Sequence, residues 1–325
     1  MSRTNYILIG LLTLAPAAIV FALVVGSVPI SMQDLFGSIF SDTNSQNTQV
    51  IQELRLPRAL GAFSCGALLA IAGVLMQVLL RNPLADPYVL GISGGAAVAT
   101  LLAMLMGAGG LLLTGSAFLG ALLSMFIVFG LAQAQGSWSP TRLLLTGVVV
   151  AAGWGAVVSF ILAIAPDRNI HGMLFWLMGD LSYVSTVWPG FLVLLLALPG
   201  SLACARHLNV LLHGALQASA LGIDVRKLRL FIYLLASLMT ATAVTIAGTI
   251  GFIGLIVPHL IRLMGVTDHR WLIPSSALLG GSLLVVADTF ARIVIAPHQL
   301  PVGVIMAMIG VPLFLLLLHR SNQPV

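Results

Sequence analysis

Arg81-Asn82-Pro83-Leu84-Ala85-Asp86-Pro87 stands between two long apolar runs, followed by Tyr88 and then Val89-Leu90-Gly91-Ile92-Ser93-Gly94-Gly95-Ala96. Neither Pro83 nor Pro87 can donate a backbone hydrogen bond inside a helix, so a helix must stop here and another begin. Arg81 suits the negative end of the preceding helix dipole. Asp86 suits the N-cap of the next helix, with Pro87 at its first position. The glycines that follow do not make a phosphate cradle. Gly91 and Gly95 have the small-xxx-small spacing that lets membrane helices approach closely. No Gly-x-x-x-x-Gly-Lys-Ser/Thr loop occurs, and Lys227 is the only lysine. If ATP drives this protein, another chain must bind it.

Outward from this turn the chain is almost continuously apolar. Of 325 residues, 59% are hydrophobic and 7% charged, and the mean hydropathy is +1.11. Soluble domains carry about 25% charged residues. The fold class is therefore all-α and polytopic, and the whole chain, 1–325, reads as one transmembrane domain. A span needs roughly 20 apolar residues. Spans are expected near Tyr6–Ser27, Ala59–Leu80, Leu143–Pro166, Leu181–Ala205, Ile273–Ile295 and Ile293–His319. Pro87–Thr141 is long enough for two, turning at Gly107 to Gly110. Leu230–Ile261 also divides, around Gly248 and Gly251. The count is about ten. The first apolar run is longer than a signal-peptide core and lacks a clear cleavage site, so it reads as a retained helix.

Ten helices put both termini on one side. If that side is the cytoplasm, ten arginines and lysines lie inside, and Arg55, Arg58, Arg168 and Arg292 lie outside. The positive-inside rule favours this arrangement. It also explains the net charge of +5 without nucleic-acid binding. Cys65 and Cys204 lie in apolar segments and read as packing residues.

Between the first two helices an external piece, roughly Pro29–Glu53, carries the polar tip Ser41–Asn47. A second, Asp167–Val187, holds an apolar core too short to span. The two halves share a weak echo: Ile71-Ala72-Gly73 before Pro83, and Ile246-Ala247-Gly248 before Pro258, as an inverted repeat requires.

Gly251, Gly254 and Pro258 mark a short, kinked and tightly packed helix. His259 within it is a candidate proton carrier, although a structural hydrogen bond explains it more simply. Asp288 is a carboxylate inside a span, and such residues are functional by default. Arg292 lies one turn on, so an intramembrane i,i+4 ion pair is the plain reading. Between Arg206 and Arg229, Gly222 reads as a helix stop and Asp224 as the N-cap of a second short helix. Leu221, Gly222, Ile223, Asp224, Arg226 and Lys227 make either a docking knob or a basic segment lying on anionic lipid. Arg55-Leu56-Pro57-Arg58 opposes the positive-inside trend and suits either lipid headgroups or an acidic partner.

Together these stretches resemble the FecCD-type permeases of type II ABC importers, the iron-chelate and vitamin B12 uptake family. The matching residues are Arg55-Leu56-Pro57-Arg58, Gln77 with Arg81–Pro87, Leu90-Gly91, Leu221-Gly222, Gly251–Leu255 with Pro258-His259 and Arg262, Asp288 with Arg292, and Leu300–Gly303 with Gly310. They run in family order from about residue 50 to 316.

The resemblance implies a homodimer of ten-helix subunits in the bacterial inner membrane, with both termini cytoplasmic. It implies two ATP-binding subunits below and one soluble binding protein above. No cofactor is expected in this chain, since ATP and magnesium belong to the ATPase. It makes the 206–229 segment the coupling knob, and Arg55, Arg58 and Arg292 the contacts to acidic residues of the binding protein. The pathway would lie along the dimer axis, near Leu143–Ala165 and Pro301–Leu318. Where the family often carries an acid, this chain has Gln299.

A ferric siderophore is the leading substrate expectation, then cobalamin, then haem. The rival class is a proton-coupled transporter using Asp288 and His259. A membrane hydrolase would need a nucleophile–base pair, and no Gly-x-Ser-x-Gly motif or paired-His site is present.

Overall fold

The computed structural model describes residues 3–26, 30–33, 35, 37, 46–133, 139–182, 184 and 186–321. These residues are helical with short connections, and no strand occurs among them. The external polar tip expected at Ser41–Asn47 falls largely outside the described residues.

The first helix, α1, is Arg3–Val24. Then α2 runs over Gln46–Leu79, with a π-helical turn at Val50–Arg55 just before Leu56 and Pro57. Pro57 has no N–H to give, and a shifted hydrogen-bond ladder beside it is the usual accommodation. A 3₁₀ turn, Pro87–Leu90, leads into α3, Ile92–Leu105. The next two are α4, Leu111–Gln133, and α5, Pro140–Ile164. The short α6, Asp167–Leu177, precedes α7, Trp188–Ala203. At Cys204 the chain bends by 54° into α8, Ala205–His213. The small α9, Ala215–Ala220, is followed by α10, Val225–Ala247, and α11, Ile253–Leu263. Last come α12, His269–Ile293, and α13, Val302–Ser321.

Among the described residues six helices are long and apolar enough to cross a membrane, or seven if the bent pair α7–α8 is one span. The apolar α3, α11 and α13 fit with these into the about ten expected from the sequence, and α3 and α11 are the shorter ones. Two of the three are short for a visible reason. Residues 81–91 turn back into the bundle before α3 begins, and residues 248–252 interrupt the chain between α10 and α11. Irregular backbone at membrane depth is tolerated only where protein covers it. Here the two interruptions cover each other. Ile250 donates its N–H to the Tyr88 hydroxyl at 3.2 Å, and Pro87 lies against Gly254.

The helix at the centre is α2, buried over most of its length and packed chiefly against α12 and α10. Its glycines set the distance. A Cβ on Gly66 would strike the Gly280 carbonyl of α12, and one on Gly73 the Gly254 carbonyl of α11. Backbone therefore meets backbone, the approach that small residues permit in membrane bundles. The same logic holds for Gly95 against Gly120, and Pro258 is buried within α11. It does not hold for Gly251, where an added Cβ would meet nothing within 4 Å. Gly91 also differs from its sequence reading: at φ 71° it is the left-handed cap between the 3₁₀ turn and α3, not a residue inside a helix.

Candidate functional site

The chemistry-bearing side chains gather at the two ends of the bundle. At one end α2 and α12 bring three arginines together. Arg58 donates to both oxygens of Asp288, with Nε at 3.1 and 2.9 Å and Nη2 at 2.8 Å. Its Nη1 donates to Gln299 Oε1 at 2.7 Å and to Ser182 Oγ at 3.2 Å. Arg292 Nε lies 3.4 Å from Asp288 Oδ2, and Nη2 donates to the Ala22 carbonyl at 3.1 Å. Arg55 Nη1 donates to the Leu23 and Val24 carbonyls at 2.6 and 3.0 Å. The last turn of α1 thus finds its acceptors satisfied by cations, which its dipole favours.

The i,i+4 pair expected between Asp288 and Arg292 is present, but the tighter, two-pronged partner of Asp288 is Arg58, 230 residues away in sequence. The three arginines are also less accessible than an outer docking face suggests. They are between 5% and 8% exposed and already bonded within the chain. They nevertheless line, with Gly26, Leu54 and Gln299, an open cavity of about 240 Å³. The lining is mostly apolar, and the three guanidinium groups are turned to partners within the chain. Gln299 occupies the position where an acid was expected, and its Oε1 accepts from Arg58.

The other end carries the turn, the knob and the start of α1. Arg81 adopts φ 51°, a left-handed conformation unusual for a side chain of this kind. Asn82 Oδ1 accepts from the Leu84 N–H at 2.9 Å, closing the turn around Pro83. Asp86 Oδ1 accepts from the Tyr88 N–H at 2.8 Å. The residue it caps is the start of the 3₁₀ turn; the α-helix itself waits until Ile92. Burial pushes the Asp86 carboxyl up to about 6, against the lowering effect of that hydrogen bond.

In the knob, Gly222 at φ 79° stops α9, and its N–H bonds to the Ser219 carbonyl. Asp224 accepts from the Lys227 N–H at 3.1 Å. The helix that Asp224 opens is the long span α10, not a second short helix. The two short helices are α8 and α9, and they join at Gly214. The knob presents Leu216 and Leu221, 89% and 71% exposed, beside the exposed Arg226 and Lys227. The Asp224–Lys227 pair at 3.2 Å is solvent-exposed and adds little stability.

Tertiary structure also joins residues that sequence reading left apart. Arg262 donates to Gln77 Oε1 at 2.5 Å, and Gln77 Nε2 reaches the Gly254 and Leu255 carbonyls at 3.4 Å. The signal was two polar residues in apolar helices, though not their partnership. Trp154 Nε1 donates to Ser124 Oγ at 2.9 Å, and Ser124 donates to the Gly91 carbonyl at 2.8 Å. His259 is only partly buried.

Residues 12–320 match the FecCD transport family. The chain belongs to that family. Among its relatives is the hemin transport permease HmuU of Yersinia pestis, 40% identical over 92% of this chain and 90% of that protein. The cobalamin import permease BtuC of Halobacterium salinarum is 43% identical over 83% and 73%. The Fe(3+) dicitrate transport permease FecD of Escherichia coli is 41% identical over 84% and 86%. A solved structure described as an inward-facing conformation of a putative metal-chelate type ABC transporter superposes with a TM-score of 0.86. It is 30% identical and covers 97% of this chain and 99% of its own. The chain is a FecCD-type permease subunit of an ABC importer, a multi-pass helical membrane protein.

Proposed function

We propose that this FecCD permease imports a metal chelate by alternating access, as a homodimer in the inner membrane with both termini cytoplasmic. Two ATP-binding subunits, carrying ATP and magnesium, would seat the knob around Leu221–Lys227. One soluble binding protein would deliver the ligand at Arg55, Arg58 and Arg292. The observation that carries this reading is the separation of two specialised surfaces onto opposite ends of one bundle. A knob with exposed leucines and basic residues lies at one end, and an arginine-lined cavity at the other. The ten-to-four division of basic residues supports placing the knob end in the cytoplasm. The long, sparsely buried α5, with Leu143, Gly147 and Ile161 as its buried residues, supports a pathway or partner surface along that helix.

The relatives handle hemin, cobalamin and ferric dicitrate. A ferric siderophore is the first substrate proposed here, then cobalamin and haem. Proton-coupled transport through Asp288 and His259 receives no support from the geometry, because Asp288 is held by Arg58 through three hydrogen-bond contacts.

The test is to reconstitute the permease with its ATP-binding and binding proteins in vesicles. ATPase activity and uptake are then compared across ferric siderophores, haem and cobalamin. One class should stimulate hydrolysis and accumulate. Accumulation driven by a proton gradient without the ATPase would overturn the reading.

A further inference from the structure

Beyond carrying the knob, α8 is fastened to the beginning of α12 by one side chain. Asn209 Nδ2 donates to Asp268 Oδ1 at 2.8 Å. Its Oδ1 accepts from the His269 backbone N–H at 3.0 Å and lies 2.6 Å from His269 Nδ1. The amide orientation follows from its partners, since a carboxylate can only accept and a backbone N–H can only donate. His269 Nδ1 therefore carries the proton. Asp268 also caps α12 through the Arg270 N–H at 2.9 Å, and Arg270 holds its carboxylate well below the usual range. His269 is fully buried. On the other side, α8 is seated by the buried Ala205, Leu208 and Leu211. The root of the knob and the first turn of α12 are thus joined by hydrogen bonds, and α9 begins just past Gly214.

From that rivet α12 continues for 25 residues, about 37 Å at 1.5 Å per residue. Its far end carries Asp288 and Arg292, the carboxylate and one of the guanidinium groups of the arginine cluster. Midway it crosses α2 at Gly66 and Gly280, backbone on backbone, with the Phe63 ring of α2 seated against the adjoining Gly281.

We infer that Asn209 is a positioning residue, passing displacement of the knob to α12, and that α12 is the rod joining the knob to the arginine-lined cavity. The inference rests on the importer reading above. Rigid packed elements carry coupling between distant sites. Docking at the cavity should then change ATP hydrolysis through α12, and weakening the Asn209 contact should reduce that effect.

The experiment uses the full complex and measures ATPase rate with and without the binding protein. The binding protein is loaded with whichever of ferric siderophore, haem or cobalamin stimulates the unmodified complex most. Asn209→Ala should lower the stimulation ratio by about 5-fold or more. Asn209→Asp sets one carboxylate against another and should lower the ratio likewise. Adding Asp268→Asn restores an amide–carboxylate contact with the roles exchanged and should recover it. A merely structural role would shift both rates together and leave the ratio unmoved. Unchanged ratios in both single variants, or a loss that the exchange pair does not recover, would overturn the inference. An unmodified complex that the binding protein does not stimulate would overturn the importer reading and this inference with it.

Discussion

The Tyr88 hydroxyl accepts the backbone N–H of Ile250 at 3.2 Å, across 162 residues of sequence. It joins the two places where helix is interrupted inside the bundle. Ile250 itself is buried, so its N–H has no other source of compensation close at hand. Tyr88→Phe removes the acceptor while keeping the ring. It should cost about 1–3 kcal/mol, the penalty of an unmet buried donor, read as a lower thermal midpoint in detergent. An unchanged midpoint would show that the two interruptions do not depend on each other.

Asp288 is the carboxylate that pairs with Arg58 and Arg292. Asp288→Asn leaves buried guanidinium groups without that counter-charge, a loss of about 3–5 kcal/mol for a broken buried pair. The expected outcome is poor yield and early unfolding, with near-normal turnover per assembled complex. A purely kinetic defect with normal stability would revive a proton-relay role for Asp288.

Two glycines from opposite halves of the chain, Gly73 and Gly251, should respond differently to a methyl group. At Gly73 the new Cβ meets the Gly254 carbonyl, backbone that cannot swing aside. Gly73→Ala should destabilise by about 1–3 kcal/mol. At Gly251 nothing lies within 4 Å, so Gly251→Ala should stay within about 0.5 kcal/mol. Chemical denaturation of both variants in mixed micelles checks the contrast; equal effects would contradict the packing.

Asp86 gives a pH signature. Its carboxyl is raised to about 6 in the folded protein and lies near 3.9 when unfolded. Between these values the folded state holds the proton and the unfolded state does not. Stability therefore falls as pH rises from about 4 to about 6, with the full penalty present above that. Asp86→Asn keeps the oxygen that accepts from the Tyr88 N–H and removes the titration. A pH series of thermal midpoints should slope downward for the unmodified protein across this window and flatten for the variant. Parallel slopes would count against a desolvated carboxyl.

The helix count, the turn at Arg81–Pro87, the division of the 230–261 run and the stops at Gly222 and Gly107–Gly110 were legible in the chain. Each depends on local physics: apolar run length, missing proline donors, glycine φ and short polar caps. The family resemblance was legible too, because its motifs sit at those same turns. What Asp224 caps was not, because a cap is visible in sequence but the length of the helix it opens is set by what that helix packs against. The role of Gly251 was misread for a similar reason, since spacing alone does not say whether a neighbour is present.

Composition, apolar run length and the placement of proline and glycine are enough to specify an all-helical membrane protein, where its helices break, and which residues are costly to bury. How those costs are met depends on packing between distant parts of the chain. Arg58 finds Asp288, Arg55 and Arg292 find the end of α1, Gln77 finds Arg262, and Asn209 finds the start of α12. In apolar surroundings a polar group must have a partner. A linear chain shows the need, but only three-dimensional packing chooses among distant groups able to meet it.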